Sequence, residues 1–389
     1  MIRDLALYST NNGLTINADK TKGMIFNKTG RLIRRTFKYQ ELTINTTREY
    51  KYLGFIVTQS GEVTSGLKDL SSRAAYALVQ LRRKLGQNFR KYPRITLHLF
   101  DSLIKPILMY ISDFWGCLKM PKNNPIDLIH MRFLKQLLGV NKQTTNTGVL
   151  LESGRVPLSI FARRNCIKNW ERLALKKNCN IMVSTSYDNM LKNDILWYSR
   201  INHSLAWIGL QYITQGNDVT PPPHITFFQR EIDIFYQNAF AEINGENSKL
   251  RTYKLFKTSI QQEPYLTEIK NVKDRITMTK FRLSDHKLMI EKGRHHNIRK
   301  DLRFCKFCPN TIEDEIHFLM SCTMFTTRRE TLMTKIKEKI NPFVFRNMSR
   351  NEKFNFLMED ISAAPLVAKY LTHTLELREF LLNEHKMHM

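Results

Sequence analysis

The chain is poor in acidic side chains. Its 389 residues include 35 Asp and Glu against 61 Lys and Arg, which gives a formal net charge of +26 at pH 7. The basic residues are spread along the whole length instead of forming a tail, so the excess favours a polyanionic partner such as nucleic acid over a membrane surface. The alternative is an ordinary solvated surface that happens to be basic.

Long apolar stretches are absent as well. The longest ones, such as Leu103–Ile111, are interrupted by Lys105 and Pro106 and are shorter than the roughly 20 residues that span a bilayer. Met1–Thr10 has no basic region followed by an apolar stretch, so we expect no secretory signal. A hydrophobic content of 42% still supports roughly two or three domains with real cores. We expect a soluble, intracellular, globular protein without a membrane partner.

Cysteine is scarce, with 6 in the chain. In an unexported protein these thiols would stay reduced, which argues against a disulfide framework and leaves a cluster of cysteines to be explained by a metal. Cys117, Cys166 and Cys179 stand singly among apolar or basic neighbours, as small buried thiols do. The other three form, with a histidine, the pattern Cys305-x2-Cys308-x8-His317-x4-Cys322.

This cluster offers three sulfurs and one imidazole, a complete set for tetrahedral Zn²⁺. Because four protein ligands leave no open position for a reacting water, we predict a structural zinc site. Its basic neighbours would offset the charge of three thiolates while facing phosphates; they are Arg299, Lys300, Arg303 and Lys306. Chance cysteines near a core histidine are the alternative.

Hydrophobic periodicity predicts an α+β chain that is predominantly α-helical. Met24–Phe26, Phe37–Ile44 and Tyr50–Thr58 have strand character and are separated by polar turns, which predicts a small antiparallel sheet. From Leu67 the apolar residues recur every three or four positions, which predicts a helix that ends before Pro93. Further helical patterns cover Leu97–Ile111, with an expected kink at Pro106, and about 125–138, 157–180, 188–213, 228–243 and 367–382.

Two segments near the amino terminus carry a family resemblance. Residues 13–26 read GLTINADKTKGMIF, which resembles the motif that follows the catalytic centre in reverse transcriptases of non-LTR (LINE-type) retrotransposons. Residues 49–55 read EYKYLGF, which is similar to the primer-grip motif of the same enzymes, in the same order and at the expected distance. The similarity continues over nearly the whole chain, through residues 99–102, 106–110, 115–116, 137–140, 154–158, 281–283 and 290–294.

The resemblance implies three regions. Residues 1–65 would be the end of the polymerase palm with a primer-grip hairpin, residues 66–214 the thumb and its helical extension, and residues 215–389 a helical module with the CCHC zinc site. The last boundary coincides with the linker Gln215–Pro223.

The catalytic aspartates of this family are missing. Their Tyr-Ala-Asp-Asp type motif belongs upstream of Gly13, where Asp4 stands alone. Two-metal phosphoryl transfer needs closely placed carboxylates, so Mg²⁺ would be bound only in the intact polymerase. We expect no polymerase activity from this chain alone.

The resemblance also implies contacts with template and primer. Lys20 would approach the triphosphate beside Lys22, and the turn at Tyr52, Leu53 and Gly54 would support the primer end. Other expected nucleic-acid contacts are basic: Arg82, Arg83, Lys84, Lys249, Arg251, Lys254, Arg294 and Arg303. The alternatives are exposed charges without a ligand, an ordinary strand with a glycine bulge, and an amphipathic helix with solvated lysines.

The function expected from these features is that of a nucleic-acid-binding C-terminal part of an RNA-directed DNA polymerase. Its partners would be RNA and DNA as template and primer, its cofactor structural zinc, and its implied location the nucleus or the cytoplasm. A host zinc-containing DNA- or RNA-binding protein without a polymerase role is the alternative, and a purely structural partner protein comes third.

Overall fold

The structure is a computed structural model that describes residues 2–17, 20–27, 30–39, 42–121, 123–176, 181–192, 196–210, 223–246, 248–340 and 342–387. Most of these residues lie in helices, and the strands form two small antiparallel sheets. The predicted fold class, α+β and predominantly helical, is therefore confirmed.

The strands are β1 (Thr36–Tyr39), β2 (Leu42–Asn45), β3 (Glu49–Tyr52) and β4 (Phe55–Thr58). The helices are α1 (Ile2–Asn11), α2 (Thr64–Leu85), α3 (Asn88–Lys91), α4 (Pro93–Leu99), α5 (Lys105–Leu108), α6 (Ser112–Trp115), α7 (Pro125–Leu138), α8 (Asn146–Ser153), α9 (Leu158–Lys176), α10 (Ile181–Lys192), α11 (Leu196–Trp207), α12 (Pro223–Asn244), α13 (Tyr265–Glu268), α14 (Val272–Arg282), α15 (Met289–His295), α16 (Glu315–Met320), α17 (Thr326–Lys337), α18 (Pro342–Asn347), α19 (Arg350–Glu359) and α20 (Ala364–Met387).

The chain forms two compact units. The first unit comprises residues 1–77, 103–129 and 158–230, and the second comprises residues 78–102, 130–157 and 231–389. The three regions inferred from the family motifs follow chain order instead, and they stay a prediction. Nearly all of the linker Gln215–Pro223 lies outside the described residues, and Pro223 begins α12.

Two hairpins in the first unit replace the predicted sheet. Each of the two longer predicted strands is itself a hairpin, with Phe37 opposite Ile44 in one and Tyr50 opposite Val57 in the other. In the second hairpin Leu53 and Gly54 have φ values of 45° and 82°, which is the backbone of a tight two-residue turn between antiparallel strands. The prediction of a strand at Met24–Phe26 was wrong: the only pairing there is an isolated bridge between Gly23 and Thr46, among the residues described.

Phe55 attaches the second hairpin to α2. The Phe55 side chain is 1% exposed, and a Cβ at Gly66 would lie 2.3 Å from its ring. Glycine at position 66 thus opens the space that the ring fills. The apolar stripe that predicted α2 is buried here through Leu67, Leu70 and Ala74.

The predicted helix over Leu97–Ile111 is helical without a gap as far as Leu108. It consists of α4, a π-helical turn at Phe100–Ile104 and the single turn α5, and Ile111 has a left-handed φ of 44°. Pro106 lies in the first turn of α5, where a missing N–H leaves no helical hydrogen bond unmade. The π-helical turn directly before the proline is an irregularity of the kind that accompanies helix kinks, and the kink at Pro106 stays a prediction.

A buried charge network lies in the core of the second unit. The Arg282 guanidinium, 1% exposed, donates to Glu152 at 2.7 Å and to Glu263 at 2.6 Å. The hydroxyls of Tyr253 and Tyr265 also donate to the Glu152 carboxylate. Burial, followed by the negative charge of Glu152, raises the pKa of both tyrosines well above its usual value. This network joins α8, α13 and α14 around the Glu152 carboxylate.

Candidate metal centre and nucleic-acid surfaces

The first two cysteines of the predicted cluster lie on a short knuckle in the second unit. An isolated antiparallel bridge between Phe304 and Ile312 closes the loop, and the Cys305 N–H donates to the Thr311 carbonyl at 2.7 Å. Asn310 adopts a left-handed φ of 52°, which reverses the chain within the loop. The knuckle thus brings Cys305 and Cys308 to one side of a tight turn.

The other two members come from α16 and the residue pair that follows it. The Asp314 side chain caps this helix by accepting from the His317 N–H at 2.7 Å. The Cys322 N–H donates back to the His317 carbonyl at 2.8 Å, so the chain turns directly after the helix. This turn places the Cys322 thiol beside the His317 ring.

The four side chains form a buried cluster that could hold a metal ion, and their ligand atoms all lie within 4.8 Å of one another. The Cys322 Sγ lies 3.9 Å from the Sγ of Cys305 and 3.8 Å from that of Cys308. A tetrahedral ion with sulfur bonds of about 2.3 Å requires sulfur–sulfur distances of about 3.8 Å. The His317 Nε2 is buried without a hydrogen-bond partner among the described residues, as expected of an atom that binds a metal. The donor set therefore fits a divalent ion.

The thiols of Cys305 and Cys322 have pKa values shifted in opposite directions. The hydrogen bond with the Cys322 thiol lowers the pKa of Cys305 to about 4 although burial opposes ionisation. The hydrogen bond to Cys305, together with burial, raises the pKa of Cys322 above its usual value. A cluster of three thiolates therefore needs a positive charge at its centre, which a bound metal ion supplies.

Two buried glutamates attach the knuckle to the rest of the second unit. Glu313 accepts from Arg378 Nε at 2.7 Å and Nη2 at 2.6 Å, which is a bidentate pair with α20. Glu315 accepts from Arg251 at 2.7 Å and from Ser284 at 2.9 Å. Sequence reasoning missed both glutamates, although acidic residues directly beside a Cys-His cluster are a usable signal. Their contacts fix the orientation of α16 and hence of His317.

The turn at Leu53 and Gly54 is held by two contacts inside the first unit. The Tyr110 hydroxyl donates to the Leu53 carbonyl, and Arg73 donates to the Gly54 carbonyl at 3.1 Å. A left-handed φ at Leu53 is strained for a residue with a branched side chain, so these contacts maintain it. The side chains of Tyr52 and Leu53 are 62% and 71% exposed. The turn thus presents two apolar side chains to solvent on a fixed backbone.

The segment of residues 13–26 contacts this hairpin. The Tyr50 hydroxyl donates to the Lys20 carbonyl at 2.7 Å, and the Gly23 N–H donates to the Asn45 carbonyl at 3.1 Å. The side chains of Lys20 and Lys22 are exposed, without an ion-pair partner among the described residues. The structure therefore brings Lys20 next to the β3–β4 hairpin and Gly23 next to the end of β2.

A groove lined by arginines lies in the second unit. It has a volume of about 570 Å³, and its lining includes Arg82, Arg83 and Arg132 but no acidic residue. Arg90 lies beside it, donates to the Gln136 carbonyl at 2.9 Å, and has a pKa lowered by burial and by the charge of Arg82. We call this site the arginine groove. Sequence reasoning found Arg82 and Arg83 but missed Arg132, which comes from the distant helix α7.

The other predicted nucleic-acid residues fall into two groups. Lys84 and Lys254 are exposed, and Lys249 is half-buried. The three arginines make contacts within the protein: Arg251 with Glu291 and Glu315, Arg294 with Glu291, and Arg303 with the carbonyls of Ile290 and Ile298. These contacts orient the arginine side chains toward the protein, and nucleic-acid binding at these positions stays a prediction.

Comparison of the chain with models of protein families, with curated proteins and with solved structures finds no match. None of the helices in the described part of the chain combines the length and the apolar content needed to cross a bilayer. The function must therefore be inferred from the metal cluster, the fixed turn at Leu53 and the arginine groove.

Proposed function

We propose that the protein binds RNA and DNA as the C-terminal part of a LINE-type RNA-directed DNA polymerase that lacks its catalytic aspartates. The observation that carries nucleic-acid binding is the arginine groove, in which three guanidinium groups face a concave surface without a carboxylate. Arginine matches phosphate geometry with paired donors, and unpaired cations in a concave site attract a polyanion. The net charge of +26 acts in the same direction.

Two further features support the polymerase part of this proposal. The segments that resemble the post-catalytic motif and the primer grip contact each other through Tyr50 and Lys20. The turn at Leu53 offers an exposed apolar surface that is fixed from behind by Tyr110. A fixed apolar tip beside exposed lysines suits the end of a primer strand, where a base or sugar and its phosphate must be held together.

The metal in this proposal is zinc, and its role is structural. Three thiolates and one imidazole favour zinc over harder cations, and four protein ligands leave no place for a substrate. When bound, the ion supplies folding free energy to the knuckle. The chain's own residues then hold the module in place, because Glu313 and Glu315 connect it to Arg378 and Arg251.

The binding test measures the affinity for a labelled oligothymidylate of about 20 nucleotides as a function of salt concentration. Replacing Arg82, Arg83 and Arg132 with glutamine should lower the affinity at least about tenfold and reduce the salt slope by about two units, at about 0.7 unit per contact on a single strand. The control removes three exposed lysines that do not line the arginine groove, in the variant K270Q/K337Q/K369Q. Equal losses in both variants, or affinity that does not change with salt, would refute a specific arginine site.

A second test separates the polymerase fragment from a host binding protein. Photocrosslinking with a primer–template duplex that carries a reactive group at the primer's 3′ end should label the segment around Tyr52 and Leu53. A host protein that uses only the arginine groove should give label near Arg82 and none at the turn. The blunt duplex without a template overhang serves as the control.

Elemental analysis tests the metal. The native protein should contain about one zinc per chain, and the Cys308→Ser variant should lose it, because three ligands hold the ion far less tightly than four. The matched control is Cys117→Ser, which changes a buried cysteine of the first unit and should keep the full zinc content. Full zinc in the Cys308 variant would overturn the assignment.

A further inference from the structure

A larger groove in the second unit is lined by lysines and histidines. It has a volume of about 1150 Å³ and lies among α14, α15, α20 and the metal knuckle. The basic and imidazole side chains that line it, apart from Arg378, are Lys249, Lys280, Lys287, Lys292, Lys306, His286, His295 and His296. We call this site the lysine groove, and it shares no lining residue with the arginine groove.

The acidic residues of the lysine groove already have partners. Asp285 accepts from both nitrogens of Asn141, Glu291 pairs with Arg251 and Arg294, Glu376 pairs with Lys273, and Glu379 pairs with Lys287 and Arg378. By contrast, Lys249, Lys280 and Lys292 make no ion pair with any described residue. Lys306 also forms no ion pair among the described residues, so the groove keeps four lysine charges outside any salt bridge.

Lys249 is partly buried and lies near other positive charges. Its side chain is half-buried, and burial lowers its pKa even though Glu291 and Asp285 favour the charged form. The neighbouring Lys135 also has a lowered pKa, first through burial and then through the charge of Lys249. Two partly desolvated ammonium groups that repel each other would be stabilised by an anion bound between them.

The lining also limits the chemistry of the ligand. No Phe, Tyr or Trp side chain lines the lysine groove, so its histidines are the only lining rings on which a nucleic-acid base could stack. Lysine ammonium groups from a loop, α14 and α15 approach the groove from separate directions, which suits several anionic groups better than one. A ligand with several phosphate groups in close succession would meet this requirement.

We propose that the lysine groove binds closely spaced phosphate groups. One source of these phosphates is the sugar-phosphate backbone of a nucleic-acid strand, and this source rests on the function proposed above. The other source is a free polyphosphate, which is independent of that function. Lys249, Lys280 and Lys292 contact the phosphates, and Lys306 extends the site to the metal knuckle.

The experiment titrates the full chain with two probes, inorganic tripolyphosphate and the oligothymidylate used above, by calorimetry. The test variant is K249Q/K280Q/K292Q, a second variant places arginine at the same three positions, and K270Q/K337Q/K369Q is the matched control. Thermal melting and zinc content are measured for each, so that a folding defect is recognised. The glutamine variant should bind tripolyphosphate at least about tenfold more weakly, whereas the arginine variant and the control should bind like the native protein.

The two probes separate the possible sources. Loss of both affinities in the glutamine variant supports a site that takes a strand, with a salt slope reduced by about two units. Loss of tripolyphosphate binding alone supports a free polyphosphate. A native protein that binds tripolyphosphate but no oligonucleotide would refute the proposed function and keep this site. Undiminished binding of both probes in the glutamine variant, or no binding of either probe by the native protein, would overturn the inference.

Discussion

Replacing Glu152 with glutamine removes one negative charge from the buried network of the second unit and nearly preserves the shape of the side chain. Glu152 is fully buried, and its carboxylate accepts from Arg282, Tyr253 and Tyr265. Breaking a buried ion pair by removing one partner costs about 3–5 kcal/mol. Because Arg282 keeps Glu263 at 2.6 Å, we expect the lower end, about 3 kcal/mol of unfolding free energy.

The assay is urea unfolding followed by circular dichroism, combined with hydrogen exchange of the peptide that covers α14. The exposed residue Glu330 on α17 provides the control, since Glu330→Gln makes the same chemical change without burial and should alter stability by less than about 0.5 kcal/mol. Protection of α14 should fall in the Glu152 variant and stay unchanged in the control. A loss below about 1 kcal/mol would refute the role given to this carboxylate.

Three further predictions concern the two buried tyrosines, the support of the turn at Leu53, and polymerase activity. Burial raises the pKa of Tyr253 and Tyr265 in the folded state, so their neutral forms add stability that is complete below about pH 10 and declines at higher pH. Ultraviolet titration should show that both tyrosines ionise only as the protein unfolds. Phenylalanine at both positions should remove this late ionisation step. The Tyr110→Phe variant keeps the ring but loses the hydroxyl that donates to the Leu53 carbonyl. It should lower the unfolding free energy by about 1 kcal/mol and weaken the crosslink at the primer end. An unchanged crosslink would show that the turn does not need this hydrogen bond. With Mg²⁺ or Mn²⁺ the chain alone should extend no primer on a template, and any template-dependent synthesis would contradict this.

The elements with a regular period could be predicted from the sequence. The apolar spacing of three and four gave α7 its correct limits, Pro125–Leu138, with Gly139 ending it in a left-handed conformation. The β3–β4 hairpin was harder, because its two-residue turn leaves little polar sequence between the strands. Tyr50–Thr58 therefore reads as one strand until the positive φ values at Leu53 and Gly54 are known.

The metal cluster was predictable for a different reason. All four ligands lie within one short segment, so spacing and ligand chemistry define the site without knowledge of the fold. The two grooves could not be found in this way, since Arg132 reaches Arg82 only through the packing of distant helices. Lys249, Lys280 and Lys292 likewise stand among ordinary surface lysines in the sequence, and only the structure places them around one groove.

The same excess of basic residues has two physical roles in this protein, and the position of the nearest carboxylate separates them. Arg282 and Arg378 are 1% exposed and each faces a buried glutamate, so their charges belong to the core. Removing either charge should unfold the second unit, because the buried glutamate would be left unpaired. Such a variant would therefore not test ligand binding. The lining of the arginine groove contains no carboxylate, and the acids of the lysine groove are already paired. Charge removed from these grooves should therefore change ligand affinity and leave folding nearly unchanged, which is the difference between a nucleic-acid surface and a merely basic one.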